Sequence, residues 1–173
     1  SPTPYKETSL LKIGVFGMLR EQKGQHLAYQ AVKDLIKDSC KLELHFFGDG
    51  ELRNKLSEQA VLDELEDSII FHGEVEEVYS KMQRMDLILI PSLFESFGYV
   101  AVEAMLMHKL VVSSSVGGLN EVLDESRANM FKTGDVEAMK SAILKAYNST
   151  EESVQSKIDT GYQYAINHFS QKR

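Results

Sequence analysis

Leu87-Ile-Leu-Ile-Pro-Ser-Leu-Phe-Glu-Ser-Phe-Gly-Tyr-Val-Ala-Val-Glu-Ala-Met-Leu-Met-His-Lys-Leu-Val-Val-Ser113 is a complete folding unit written in one line. The run Leu87–Ile90 is apolar on every residue, which suits a strand covered on both faces. Pro91 ends it, since proline cannot donate to a sheet ladder. Phe97–Met107 carries apolar or small residues all round and reads as a largely buried helix. Leu110–Ser113 is apolar and β-branched again and reads as a second strand. Strand, helix and strand in so short a span make a parallel crossover.

The same alternation runs outward in both directions. Upstream, strands are expected at Lys12–Gly17, Leu42–Phe47 and Ser68–His72. Helices are expected over Gly24–Ile36, around Leu52, Leu56 and Ala60, and around Val78, Met82 and Met85. Downstream, Gly117-Gly118 precedes a short helix at Leu119–Leu123, and Ala128–Phe131 is a brief strand. Asp135 caps a helix carrying Val136, Met139, Ile143, Leu144 and Tyr147. A last helix carries Val154, Ile158, Tyr162, Ala165, Ile166 and Phe169. The pattern predicts an α/β fold: a Rossmann-like, doubly wound parallel sheet of about six strands with helices on both faces.

Composition bounds the function. The chain has 173 residues, 43% hydrophobic and 26% charged, enough for one core and ordinary for a globular domain. One domain over residues 1–173 is expected. Net charge is −7 and the isoelectric point about 5.3. With no Lys/Arg cluster, nucleic acid is not an expected partner. No apolar run is long enough for a transmembrane segment. The single Cys40 excludes an internal disulfide or a multi-cysteine metal site, and the five histidines lack metal spacing. Ser1-Pro-Thr-Pro-Tyr5 has neither an initiating methionine nor a signal pattern, as expected of a domain cut from a longer chain. A reducing, cytoplasmic setting is expected.

Within the quoted stretch, Glu95 and Glu103 bracket an otherwise uncharged segment. A carboxylate in an apolar helix needs a hydrogen-bonding partner, from the protein or from a ligand. Open parallel sheets bind ligands at the carboxyl ends of their strands, and the helix after the fourth strand starts there. Its first amides, from Phe97, Gly98, Tyr99 and Val100, can meet a phosphate or a hydroxyl. Gly98 lets backbone and ligand approach closely. Glu103, one to two turns in, can accept from the vicinal hydroxyls of a ribose. The alternative is that Glu103 pairs with a lysine and Glu95 belongs to a solvated loop.

A second element is Gly17-Met-Leu-Arg-Glu-Gln-Lys-Gly24, after the first strand. Arg20 and Lys23 are cations placed to meet a diphosphate, or else ordinary surface charges. Gly14-Val-Phe-Gly17 is no dinucleotide fingerprint, and the loop has no Gly-Lys-Ser/Thr. Gly48-Asp-Gly50 reads as a tight turn into the second helix. Gly117-Gly118 either delivers another helix N-terminus to the ligand or only turns the chain.

Together these residues resemble the C-terminal domain of GT-B-fold retaining glycosyltransferases, the group one or family-four class. The resemblance runs from Gly17…Lys23-Gly24 through Phe47-Gly-Asp-Gly-Glu-Leu52, Phe71-His-Gly73, Pro91-Ser-Leu-Phe-Glu-Ser-Phe-Gly98, Glu103-Ala104 and Gly117-Gly-Leu-Asn-Glu121 to Gly134-Asp135. It implies that Glu103 binds the donor ribose and that Glu95 lies against the donor sugar. It implies that the amides of Phe97 to Val100 hold sugar hydroxyls and phosphate, and that Lys23 neutralises the leaving diphosphate. The implied reaction is transfer of a hexose from a UDP- or GDP-linked donor to an acceptor hydroxyl, with retention and without a metal or other cofactor.

Two positions depart from the family pattern. Met18 stands where an arginine is usual, so that Arg20 is the remaining cation for that task. Ser96 stands where a glycine often follows the first glutamate. The resemblance also implies an absent N-terminal domain carrying the acceptor site and any membrane association, the acceptor being a glycan or lipid of polysaccharide or glycoconjugate assembly. The domain by itself is then expected to bind donor but to transfer poorly. Other readings are a non-catalytic nucleotide-sugar-binding module and a GT-B-related sugar-nucleotide epimerase.

Overall fold

The computed structural model describes residues 10–169. The chain start at Ser1–Tyr5 and the segment after Phe169 lie outside the described residues. The strands are β1 (Leu11–Phe16), β2 (Leu42–Phe47), β3 (Ile69–Gly73), β4 (Leu87–Ile90), β5 (Leu110–Ser114) and β6 (Asn129–Phe131). The helices are α1 (Gln25–Lys37), α2 (Arg53–Leu62), α3 (Val78–Gln83), α4 (Tyr99–Leu106), α5 (Leu119–Val122), α6 (Val136–Asn148) and α7 (Glu151–Phe169). The six strands form one sheet in the order β3-β2-β1-β4-β5-β6, every ladder parallel. The order reverses between β1 and β4, and a crevice opens at that switch point.

The continuous apolar runs follow from burial on both faces. Leu87 and Leu89 join one core with α1, α2 and α6, built on Leu11, Ile13, Leu44, Phe46, Val32 and Ile143. Ile88 and Ile90 point the other way into a second core with α3, α4 and α5, built on Met82, Ala101, Met105, Val111, Leu119 and Val122. The period of two along a strand supplies both cores from one run.

Helix α7 belongs to both layers. Val154 and Ile158 pack into the first core, and Ala165 into the second, so the helix crosses the β6 edge. Lys157 pins the crossing by donating to Ala128 O at 3.0 Å and to Asn129 Oδ1 at 2.7 Å. The crossing covers a sheet edge that is otherwise a site for unwanted pairing. Gly161 sits against α4, where an added Cβ would lie 3.1 Å from Met105 Cγ. A sequence scan for large apolar residues passes over this contact, because the close approach needs a residue without a side chain.

Element boundaries follow local chemistry. Asp135 accepts from Ala138 N at 2.9 Å, the expected N-cap. Helix α4 starts at Tyr99 rather than at Phe97, because Gly98 is left-handed at φ 90 and forms its N-cap. Before α1, Glu21–Lys23 form a short 3-10 turn ended by left-handed Gly24.

Candidate active site

Two loops meet over the β1/β4 switch point. The loop after β1 carries Gly17 to Gly24 and the loop after β4 carries Pro91 to Gly98. Leu93 N and Phe94 N both donate to Gln22 O, at 2.9 and 3.2 Å. Gly24 packs so tightly under the second loop that a Cβ would lie 2.0 Å from Pro91 O. The zipped loops bring Lys23 to Glu95: Lys23 Nζ donates to Glu95 Oε2 at 3.0 Å, the two side chains being 26% and 17% exposed. Ser92 Oγ lies 3.4 Å from the same oxygen. Half-shielded from solvent, this charge-assisted contact is stronger than a surface pair.

Further loops brace the two from either side. Gly48 and Gly50, beyond β2, sit against the β1 loop; added Cβ atoms would lie 2.1 Å from Gly17 O and 2.3 Å from Leu19 O. Leu19 N donates to Asp49 O at 2.9 Å. Asp49 itself is held below the usual carboxylate range by the Gly50 N–H and by Arg53. Gly48-Asp-Gly50 thus makes the expected turn and also braces the loop after β1.

Beyond β5, Gly118 N donates to Glu95 O at 2.9 Å. Added Cβ atoms on Gly117 and Gly118 would lie 2.1 Å from Glu95 O and 2.4 Å from Ser96 O. The glycine pair is therefore a backbone bed for the Glu95 loop. Helix α5 is only Leu119–Val122, so the turn is what matters. Buried Ser114 adds a bond from its Oγ to Ser92 O at 2.7 Å.

The crevice holds a cavity of about 640 Å³ whose walls include Gly17, Met18, Gly48, Val75, Val100 and Glu103. Glu103 is half-buried, not sunk in the helix interior: α4 buries Ala101, Val102, Ala104 and Met105 and leaves the carboxylate at the cavity wall. Apolar surroundings in sequence do not separate the buried face from the cavity face, since a crevice wall is itself largely apolar. Glu74 and Glu76 line the same cavity; the sequence points to the backbone near Gly73–Val75 as a base contact but assigns no role to these two side chains. Only their place in space, after β3 and opposite α4, marks them.

The remaining candidates are placed as follows. Gly17, at φ 140, has nothing within 4 Å of an added Cβ, so it serves backbone conformation. Gly98 is required by its positive φ, and a Cβ there would meet Leu119 at 3.0 Å; the close approach is to protein. Phe97 stacks on Tyr99, ring centroids 4.4 Å apart, and meets Phe169 of α7 edge-on at 6.1 Å. Tyr99 is exposed, Val100 lines the cavity, and Met18 is 55% exposed at its rim. Arg20 is exposed at the start of the 3-10 turn; neither Arg20 nor Lys23 lines this cavity, and Lys23 instead pairs with Glu95 beside it. Among the described residues no group of three or more His, Cys, Asp and Glu is arranged to hold a metal, and no helix is long and apolar enough to cross a membrane.

Comparison with known proteins locates this architecture. The family model described as glycosyl transferases group 1 matches residues 11–149. An uncharacterized glycosyltransferase of Methanocaldococcus jannaschii is 31% identical over 141 residues, 80% of this chain and 39% of that protein. The lipopolysaccharide core biosynthesis mannosyltransferase LpcC of Rhizobium leguminosarum bv. viciae is 30% identical over 137 residues, 76% of this chain and 39% of that protein. The crystal structure of Anabaena Alr3699/HepE in complex with UDP and glucose superimposes with a TM-score of 0.85 at 23% identity, over 92% of this chain and 44% of that one. The C-terminal domain of a group 1 glycosyl transferase (LpcC) from Francisella tularensis superimposes at 0.81 with 20% identity, over 92% of this chain and 86% of that one. At these identities the structural likeness speaks for the fold. The chain spans 39% of the length of each of the two curated relatives.

Proposed function

The chain belongs to the group 1 glycosyltransferases, and from that premise we propose that it is the donor-binding half of a two-domain enzyme that moves a hexose from a nucleoside-diphosphate sugar to an acceptor hydroxyl. The observation that carries the reading is the Lys23–Glu95 pair between the β1 and β4 loops, next to the cavity that Glu103 lines, the two sites sharing Phe16 and Val100 as walls. The anionic leaving group lies beside Lys23, with Arg20 the second cation that the loop offers. The amides at the start of α4 add positive potential there. Glu103 accepts from the ribose hydroxyls, and Glu95 faces the donor sugar.

In transfer, the bond from the anomeric carbon to the diphosphate oxygen breaks while the acceptor oxygen bonds to that carbon and gives its proton to the departing diphosphate. Negative charge develops on the diphosphate. A preorganised cation and helix N-terminus stabilise that charge without reorganising at the moment of reaction. Retention, independence from metal and other cofactors, and an acceptor site on a separate N-terminal domain complete the proposal. The share of each relative's length that this chain spans supports the two-domain arrangement.

The test is calorimetric titration of the chain with UDP, GDP and ADP, with and without chelator, beside Glu103→Ala. One nucleotide binds saturably and chelator leaves binding unchanged. Glu103→Ala weakens binding by about 1.5–3 kcal/mol, the scale of a hydrogen bond to a charged group. Unchanged affinity in the variant overturns the assignment of Glu103. For the two-domain protein, the anomeric configuration of the product, read by NMR, decides between retention and inversion.

A further inference from the structure

Beneath the Lys23–Glu95 pair lies a second, enclosed cavity. It sits between the ends of β1 and β4, under the N-terminus of α4. Its polar lining comes from Lys23, Gln25, Ser92 and Glu95, and its apolar lining includes Phe16 and Ile90. Its volume, about 20 Å³, is enough for an ordered water.

Gln25 is the unusual member. It is the first residue of α1 and only 1% exposed. Its Nε2 donates to Met18 O at 2.9 Å, which fixes the amide orientation. Its Oε1 is buried and has no partner. A buried acceptor left unmade costs about 1–3 kcal/mol, and native proteins rarely carry that cost. The cavity is polar enough and large enough to meet it.

We propose that this cavity holds one ordered water, which donates one hydrogen to Gln25 Oε1 and the other to the Glu95 carboxylate. Gln25 is then a positioning residue. It holds the Met18 carbonyl directly and Glu95 through the water, so both walls of the crevice register on one side chain. Glu95 Oε2 already takes Lys23 and Ser92, and the water limits its remaining freedom. The functional weight of this link rests on the reading of Glu95 as a donor-sugar contact; the water itself does not.

Two measurements decide it. The first is a high-resolution crystal structure of the chain, with no nucleotide added. A single water within hydrogen-bond distance of both Gln25 Oε1 and Glu95 is expected. An empty cavity, or a water touching Gln25 but not Glu95, overturns the proposal whatever the protein's activity. The second compares Gln25→Met with wild type for UDP and UDP-glucose, or for the GDP pair if that base binds. A positioning role weakens sugar-nucleotide binding by about fivefold, the scale of one neutral hydrogen bond, and leaves diphosphate binding within about twofold. Equal loss for both ligands assigns Gln25 to the β1 loop alone and overturns the link to Glu95. Should no nucleotide bind even the wild type, the function reading fails while the crystal still decides the water.

Discussion

At the scale of residues, the pairing of Lys23 with Glu95 has a consequence for mutation. The two charges are half-shielded, and removing one leaves the other with a poorer environment. Lys23→Ala is expected to lower affinity for a nucleoside diphosphate about tenfold or more, through loss of a charge-assisted contact, and calorimetry reads this directly. If the affinity holds, the lysine serves the glutamate and not the ligand. The pair was legible only as two separate candidates. Glu95 and Lys23 stand 72 positions apart, and no local rule joins them. Gln25 was not legible at all, because a glutamine at the start of a helix is unremarkable until its burial is known.

At the scale of elements, the site is built from glycines that press backbone on backbone. Gly117 combines a left-handed φ of 50 with a Cβ position 2.1 Å from Glu95 O. Gly117→Ala is expected to lower stability by about 1–3 kcal/mol, the cost of a strained backbone position, and to shift the Glu95 loop. Urea denaturation measures the first effect and nucleotide affinity the second. An alanine variant of wild-type stability and affinity refutes the bracing role. These glycines stood out in sequence as turn residues. Their partners did not, since each braces a loop from another strand.

At the scale of the whole molecule, one face of β2 and β3 carries a chain of polar and aromatic side chains that runs through buried His45 and Phe47. Glu43 Oε1 lies 2.9 Å from His45 Nε2, and His45 Nδ1 lies 2.8 Å from His72 Nε2. His72 stacks on Phe47 at 4.3 Å, and Phe47 on Phe16 at 4.5 Å, so the chain reaches the cavity wall. Partial burial, then the neighbouring His45 and Lys81, hold His72 below the usual histidine range. The folded state therefore binds fewer protons here than the unfolded chain as pH falls. This contribution to stability is whole above about pH 6.5, the unfolded value, and is lost as pH drops through the lower folded value. His72→Gln is expected to flatten the dependence of Tm on pH between about 7 and 5. An unchanged slope assigns the pH dependence to other groups. The sequence reading treated these histidines singly, without metal spacing; their register across a parallel ladder joins them.

The class of fold, the order of its elements and the two loops proposed to carry the chemistry were all legible in the sequence. Apolar period, turn residues and caps are local signals, and β1 to β6 and α1 to α7 lie within a few residues of where those signals put them. The family likeness also rests on local motifs and so was legible. Tertiary structure alone decided which residues meet: Lys23 on Glu95, Gln25 beneath both, Gly117 and Gly118 under the Glu95 loop, and α7 across the β6 edge. It also decided that Glu103 faces a cavity and not the core. The physical reason is that burial and contact are properties of pairs distant in the chain. A periodic pattern states that a face is apolar, but not what covers it.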